Sequence, residues 1–329
     1  MPIQTRLQIK NSVLDSTQQL SAQIGSLVND FINITLQEIA SPAWAFDNQY
    51  QHLWSWLKRK TTFSTVASTE DYVLERDVDK IAVLRQTASP AKLTQIPDHL
   101  FYKHIPNPTQ TGNPRFYRMW GIDGVSTKLA AADTIDVLSS SASDGSTFTV
   151  IVSGYVSGRL QTNSYSLNGT TAVAGTTTFD AREIFVSKSG NTTGNITVRR
   201  NSTSATLVVL APQETTPRFK ILSLYPIPSS AITMYLEYYK RIRELTSDTD
   251  VPEFDSKWHH VVRFGTLSKV NQYLGKTDDF ITTQKLYEKL VRAMVADDKV
   301  KPDLIETMER RKTRDFADII LQRSEDVVA

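Results

Sequence analysis

The chain has 329 residues, with 37 Lys and Arg against 35 Asp and Glu, for a net charge of +2. That balance excludes polyanion binding driven by overall charge and leaves only local basic patches. The absence of cysteine removes disulfides, thiolate zinc sites, iron–sulfur clusters and cysteine nucleophiles together.

Met1 to Thr17 has no apolar core of signal-peptide length. No run approaches the roughly 18 apolar residues of a membrane span. The expectation is therefore a protein made in a cytoplasm, with no membrane partner. Between residues 122 and 216, 31 of the 95 residues are Ser or Thr, and eight of the 13 glycines fall there. The flanks are richer in Trp, Lys, Arg and Glu. The chain reads as α+β and multidomain: a helical bundle with a small β-hairpin or sheet region, interrupted by an Ig-like β-sandwich insertion. The expected divisions are 1–121, helical; 122–216, the inserted sandwich; and 217–329, helical, ending in a tail.

In chain order, Leu7, Ile9, Val13 and Leu14 give a loose helical pattern. Ile24, Leu27, Val28, Phe31 and Ile34 give a stronger one that Ser41-Pro42 ends. Leu53, Trp54 and Leu57 suggest a third short helix, running into Lys58-Arg59-Lys60. Thr61–Val66 and Tyr72–Leu74 read as strands about a polar turn, followed by Lys80–Leu84. Tyr102, Phe116, Tyr117 and Trp120 suggest more strand, broken by prolines. In the middle, seven short runs fit a two-sheet sandwich: 134–138, 147–152, 159–165, 170–179, 183–187, 194–200 and 205–210. Phe219–Tyr225 and Ile232–Tyr239 are strands. Asp255 then caps a helix with Trp258, Val261, Val262 and Gly265. Another begins at Asp278 or Asp279, with Leu286, Tyr287, Leu290 and Met294 on one face, and a last one follows Pro302.

Candidate chemistry is sparse. Gly275-Lys276-Thr277 resembles the end of a phosphate loop, but Val270 stands where that loop needs glycine, and a glycine between two helices is a C-cap. His259 and His260 are adjacent on a helix, so they point about 100° apart and do not chelate together. No Gly-x-Ser-x-Gly elbow occurs. The sequence thus predicts no enzyme, no metal and no cofactor. Two basic runs, Lys58-Arg59-Lys60 and Arg310-Arg311-Lys312, read as solvated helix ends or as contacts to phosphate or an acidic partner.

Several phrases outside the insert occur in a shared order. They are Trp54-Ser-Trp-Leu-Lys-Arg-Lys-Thr-Thr-Phe63, Glu70-Asp-Tyr-Val-Leu74 with Asp77-Val-Asp-Lys-Ile-Ala82, Phe116-Tyr-Arg-Met-Trp-Gly121 and Ile221-Leu-Ser-Leu-Tyr-Pro-Ile-Pro228. The last is Tyr238-Tyr-Lys-Arg241, then Ser247-Asp-x-Asp-Val-Pro-Glu253, Trp258-His259 and Tyr273-Leu-Gly275. In this the chain resembles the head–tail connector (adaptor) proteins of tailed bacteriophages, podophage-like, over all but the insert. It lacks the proline that the family usually shows after Leu74.

The resemblance implies a structural virion protein: a homo-oligomeric, dodecameric ring beneath the portal, assembled in the bacterial host cytoplasm. The ring would extend the DNA channel and dock the tail nozzle and fibres, with the insert projecting outward. It implies portal binding by the C-terminal segment, for which Arg310, Arg311, Phe316, Ile319 and Ile320 are the candidates, and transient passage of double-stranded DNA past Lys58, Arg59 and Lys60. The rival is another virion or adhesion protein whose sandwich binds a receptor or glycan. Against it, the insert's Phe148, Tyr155, Tyr165, Phe179 and Phe185 are spaced as a core.

Overall fold

The computed structural model describes residues 4–42, 52–105 and 107–299. Among these, five α-helices form: α1 (Arg6–Thr17), α2 (Ser21–Ala40), α3 (Asp98–His104), α4 (His259–Tyr273) and α5 (Thr277–Lys299). Against them stand sixteen strands in five sheets. The protein is mostly β, which overturns the expected helical bundle with a small β region. The physical reason lies in the flanks, where segments such as Lys58–Ser64 and Thr233–Lys240 alternate at the period of a strand and pair with each other across the sequence between them.

The chain divides into two compact units, Met1–Leu57 with Ile242–Ala329, and Lys58–Arg241. In the first, a capping box opens α1: the Thr5 hydroxyl accepts from the Gln8 N–H at 3.3 Å, and the Gln8 side chain accepts from the Thr5 N–H at 2.9 Å. The buried face of α2 is the four-residue ladder Ile24, Val28, Ile32 and Leu36, with Thr35 and Ile39. It is rotated from the expected stripe, leaving Ile34 exposed and Phe31 half-buried. On α5 the core residues are Tyr287, Val291, Met294 and Val295, and Leu286 is exposed. Gly275, in the left-handed conformation at φ 70°, turns the chain from α4 into α5.

The second unit begins with β1 (Lys58–Ser64), β2 (Asp71–Val73), β3 (Val78–Gln86), β4 (Thr94–Gln95), α3, β5 (Thr111–Gly112) and β6 (Phe116–Asp123). Next come β7 (Asp133–Ser139), β8 (Thr149–Val156), β9 (Arg159–Ser166), β10 (Val173–Phe179), β11 (Ile184–Lys188), β12 (Ile196–Arg200) and β13 (Thr206–Leu210). It ends with β14 (Phe219–Tyr225), β15 (Ile227–Pro228) and β16 (Thr233–Lys240). Three departures from the sequence reading stand out. Tyr102 lies in α3 rather than a strand. The short helix before Lys58 is a single 3-10 turn, Ser55–Leu57. Finally, β1 and β2 form no hairpin, because β1 pairs with β16 and β2 with β14.

Two pairs of sheets share cores. Sheet β1-β16-β3 and sheet β2-β14-β6-β4 enclose Leu84, Tyr117, Leu222, Leu224, Met234 and Leu236. Sheets β10-β7-β12-β13 and β11-β8-β9 enclose Ile135, Val150, Phe179, Val186, Val198 and Leu207. Between them runs one ladder, with a single register shift between Ile221 and Leu222. β6 pairs antiparallel with β14 from Phe116↔Tyr225 to Asp123↔Phe219, so the chain leaves and re-enters through adjacent strands. At that exit a Cβ on Gly124 would stand 2.5 Å from the Ile184 carbonyl, an approach only glycine permits. Inside the pair formed by sheets β10-β7-β12-β13 and β11-β8-β9, the fully buried Asp144 accepts from the Ser139 hydroxyl at 2.5 Å and from the N–H groups of Thr193 and Gly194 at 2.7 and 2.8 Å.

Gly265 sets the spacing of α2, α4 and α5. A Cβ there would lie 2.5 Å from Thr35 Cγ2 and 2.8 Å from Tyr287 Cε2, both on buried side chains. Gly265→Ala is expected to destabilise the helical unit by about 1–3 kcal/mol, despite a helix-propensity gain of ~0.5–1 kcal/mol. Adding Thr35→Ser, which deletes the clashing methyl and keeps the hydroxyl, is expected to recover part of the loss. Urea unfolding followed by far-UV circular dichroism measures both.

Candidate functional site

Lys58-Arg59-Lys60 sits on a strand, not on a helix end, and the two-residue period of the strand splits the run. Lys58 and Lys60 pair with Tyr239 and Glu237, on the outer face of sheet β1-β16-β3. Arg59 pairs with the buried Tyr238 and belongs to the opposite face. The outer face gathers further charge from elsewhere in the chain. Arg85 on β3 pairs with Tyr235 on one side and bridges to Lys92 on the other. Lys58, Arg85, Lys92, Tyr235 and Glu237 line an open cleft of about 530 Å³.

The cleft is partly organised. The Arg85 guanidinium lies over the Tyr235 ring, 4.7 Å from its centroid, and donates to the Ser89 carbonyl at 3.2 Å. Lys58 Nζ stands 2.8 Å from Glu237 Oε2, and the Tyr235 hydroxyl donates to Glu237 Oε1 at 2.9 Å. Lys58 above all holds the Glu237 carboxyl below its ordinary range, helped by Tyr235 and Lys92. Glu237 in turn pushes the Tyr235 phenol up. Sequence reasoning found Lys58 and Lys60 but missed Arg85, Lys92 and Glu237. A signal existed in Tyr235-Leu-Glu237 and in Leu84-Arg85, where a polar residue stands beside a core leucine.

His259 is committed to the fold. Its Nδ1 accepts from the Gln4 N–H at 3.1 Å, and its Nε2 donates to the Phe254 carbonyl at 3.1 Å. Both nitrogens are thus engaged, and His260 stacks on Trp258 instead of converging with it. Among the described residues, no group of three or more His, Asp or Glu is placed to hold a metal ion. Lys276 follows the Gly275 turn and donates its backbone N–H to Asn271. Near His259, Trp54, Trp56, Phe254 and Trp258 line a small cleft with Asp297 and Asp298. There burial would raise the Asp298 carboxyl, but the Ser55 hydroxyl at 2.5 Å, the Ser55 N–H and His52 at 2.8 Å bring it below the usual range.

Of the aromatics between 122 and 216, Tyr165 and Phe179 are in the core, Phe148 packs against it, and Tyr155 lies under the Arg182 guanidinium at 5.5 Å. Phe185 is exposed. The candidates Arg310, Arg311, Phe316, Ile319 and Ile320 lie outside the described residues. No helix among the described residues is long and apolar enough to cross a membrane.

No family model matches the chain, and no curated protein matches it. Among solved structures, one similar chain is a functionally unknown protein from Saccharomyces cerevisiae, determined by crystallography. The match covers 55% of this chain and 94% of that one, at 11% identity and a TM-score of 0.10. A likeness at that level carries no argument about fold or function.

Burial holds the His259 imidazole below its ordinary value of 6.5, and it does the same to His260. A histidine whose folded value is depressed binds protons more weakly folded than unfolded, so stability is full above 6.5 and falls as pH drops below it. The helical unit is expected to lose urea resistance between pH 7.5 and pH 5. His259→Gln should be weaker at pH 7.5 but flatter across that window. An unchanged slope in the variant would assign the acid sensitivity elsewhere.

Proposed function

We propose that this protein is a head–tail connector of a tailed bacteriophage, a subunit of a closed ring beneath the portal that extends the DNA channel and receives the tail nozzle and fibres. The observation that carries this reading is the placement of the phrases that carry the resemblance, which act as joints of the fold. Phe116–Gly121 pairs with β14, which holds Ile221–Tyr225 of the Ile221–Pro228 phrase, across the 95-residue insert 122–216. Ser247–Glu253 forms a turn in which Asp250 accepts from the N–H groups of Thr246 and Ser247, both at 2.8 Å. The carbonyls of Asp248 and Asp250 in that turn accept from the first N–H groups of α1. Trp258-His259 fixes Gln4 through the imidazole.

A joint of this kind tolerates an insert at β6–β14, because the added residues leave and return through two neighbouring strands. In a closed ring one subunit's surface meets a different surface of the next, and repetition builds a channel from a single small chain. The ring is assembled in the host cytoplasm and retained in the virion. The C-terminal segment with Arg310, Arg311, Phe316, Ile319 and Ile320 is the portal contact, and many weak tails engaging one ring supply avidity.

The test is mass photometry and negative-stain electron microscopy of the purified chain, alone and with its portal. Closed rings are expected, at the latest on the portal. A chain that stays monomeric in both conditions rules the reading out. Truncation after Arg310 is expected to leave a folded protein that no longer joins portal-containing particles.

A further inference from the structure

We infer that the outer face of sheet β1-β16-β3 is a contact surface for the phosphodiester backbone of duplex DNA, and that Glu237 weakens that contact from within. The inference rests on the connector reading only for the source of the DNA. The face itself is argued from its charges.

Lys58, Lys60, Arg85 and Lys92 share this face with one facing carboxylate, Glu237, in a chain whose total charge is only +2. Alternate residues on a strand are about 6.6 Å apart and neighbouring strands about 4.8 Å. The cations therefore form a two-dimensional array of short pitch, which suits a dense row of phosphates better than a single carboxylate. Arg85 is held before any ligand arrives, by the Tyr235 ring and the Ser89 carbonyl. An ordered guanidinium loses little freedom on meeting a phosphate. The cleft of about 530 Å³ beside it is open and wide enough to receive a backbone phosphate group.

Glu237 decides the strength of the contact. It pairs with Lys58 at 2.8 Å and accepts from Tyr235. An approaching phosphate must therefore compete with a carboxylate already in place, which also repels it. Contacts to backbone phosphates carry no base information, so binding here is indifferent to sequence and sensitive to salt. Weak, sliding contact follows, as a surface facing moving DNA requires.

The experiment uses the full chain and a fluorescent duplex of random sequence, with anisotropy read from low to physiological salt. Lys60→Glu with Lys92→Glu, both at exposed positions, is expected to weaken binding at low salt about tenfold or more and to lower the salt slope by roughly one to two. Glu237→Gln is expected to strengthen binding several-fold. Lys285→Glu with Lys289→Glu, exposed on α5, makes the same charge change away from the sheet and should leave binding nearly unchanged. Equal losses in the two double variants, no loss in the first, or no strengthening in Glu237→Gln overturns the assignment. Binding to poly-glutamate but not to DNA also overturns it, in favour of an acidic protein partner. Mass photometry of the same samples separates the two levels: DNA binding that follows these substitutions in a chain that never forms rings, alone or on its portal, upholds the face and removes the connector reading.

Discussion

Gly121 stands opposite Ile221 in the ladder between β6 and β14, and the rest of the second unit is hung on that pairing. Below it, β14 also pairs with β2, and Tyr117, Leu222 and Leu224 from the two strands enter the core shared with sheet β1-β16-β3. Above it, Phe219 reaches into the core between the other two sheets, and Val73 packs there as well. Arg76 reinforces the passage, lying over the Phe219 ring at 5.4 Å and donating to Glu214 and to the Val209 carbonyl. Two cores meet at one ladder, so a long excursion of chain is accommodated without opening the sheet that launches it.

The first unit depends on polar fastenings of a different kind. Its helices are joined by a loop that replaces missing helix partners one by one. Asn33 on α2 both accepts from the Leu245 N–H at 2.9 Å and donates to the Leu245 carbonyl at 3.3 Å. Arg6 donates to Asp248, and Lys269 on α4 reaches both oxygens of Glu38 on α2 at 2.8 Å. Such contacts contribute modestly each, yet leaving their partners buried and unpaired costs more than the contacts contribute. This gives a physical reason for the particular residues in the Asp-x-Asp and Trp-His phrases: they complete a fold whose first and last helices are far apart in sequence.

The sequence disclosed local periodicity well and pairing poorly. The seven runs between 134 and 210 became β7 to β13, with β8 running on to Val156, because each run is short and bounded by turn residues. Ile232, Met234, Leu236 and Tyr238 likewise showed the inner face of β16. The helical bundle failed because the flanking strands draw their partners from distant sequence. β1 finds β16 and β2 finds β14, and nothing near Thr61 or Tyr72 announces this. The basic cleft was half legible for the same reason. Lys58 and Lys60 are adjacent in a visible run, whereas Arg85, Lys92 and Glu237 join them only through registers set by the fold. On α2, Ile34 fits a three-residue step from Phe31, but packing selected the four-residue ladder through Ile32 and Leu36.

The central claim is that the β6–β14 ladder closes the base of the second unit independently of what residues 122–216 carry. Hydrogen exchange measured by mass spectrometry on the whole chain, and on a chain with those residues replaced by a short linker joining Gly121 to Pro217, tests it directly. Amides of Phe116–Gly121 and of Ile221–Tyr225 are predicted to keep their slow exchange in the shortened chain. Loss of protection in both strands would show that the upper core holds the ladder together, and would contradict the account.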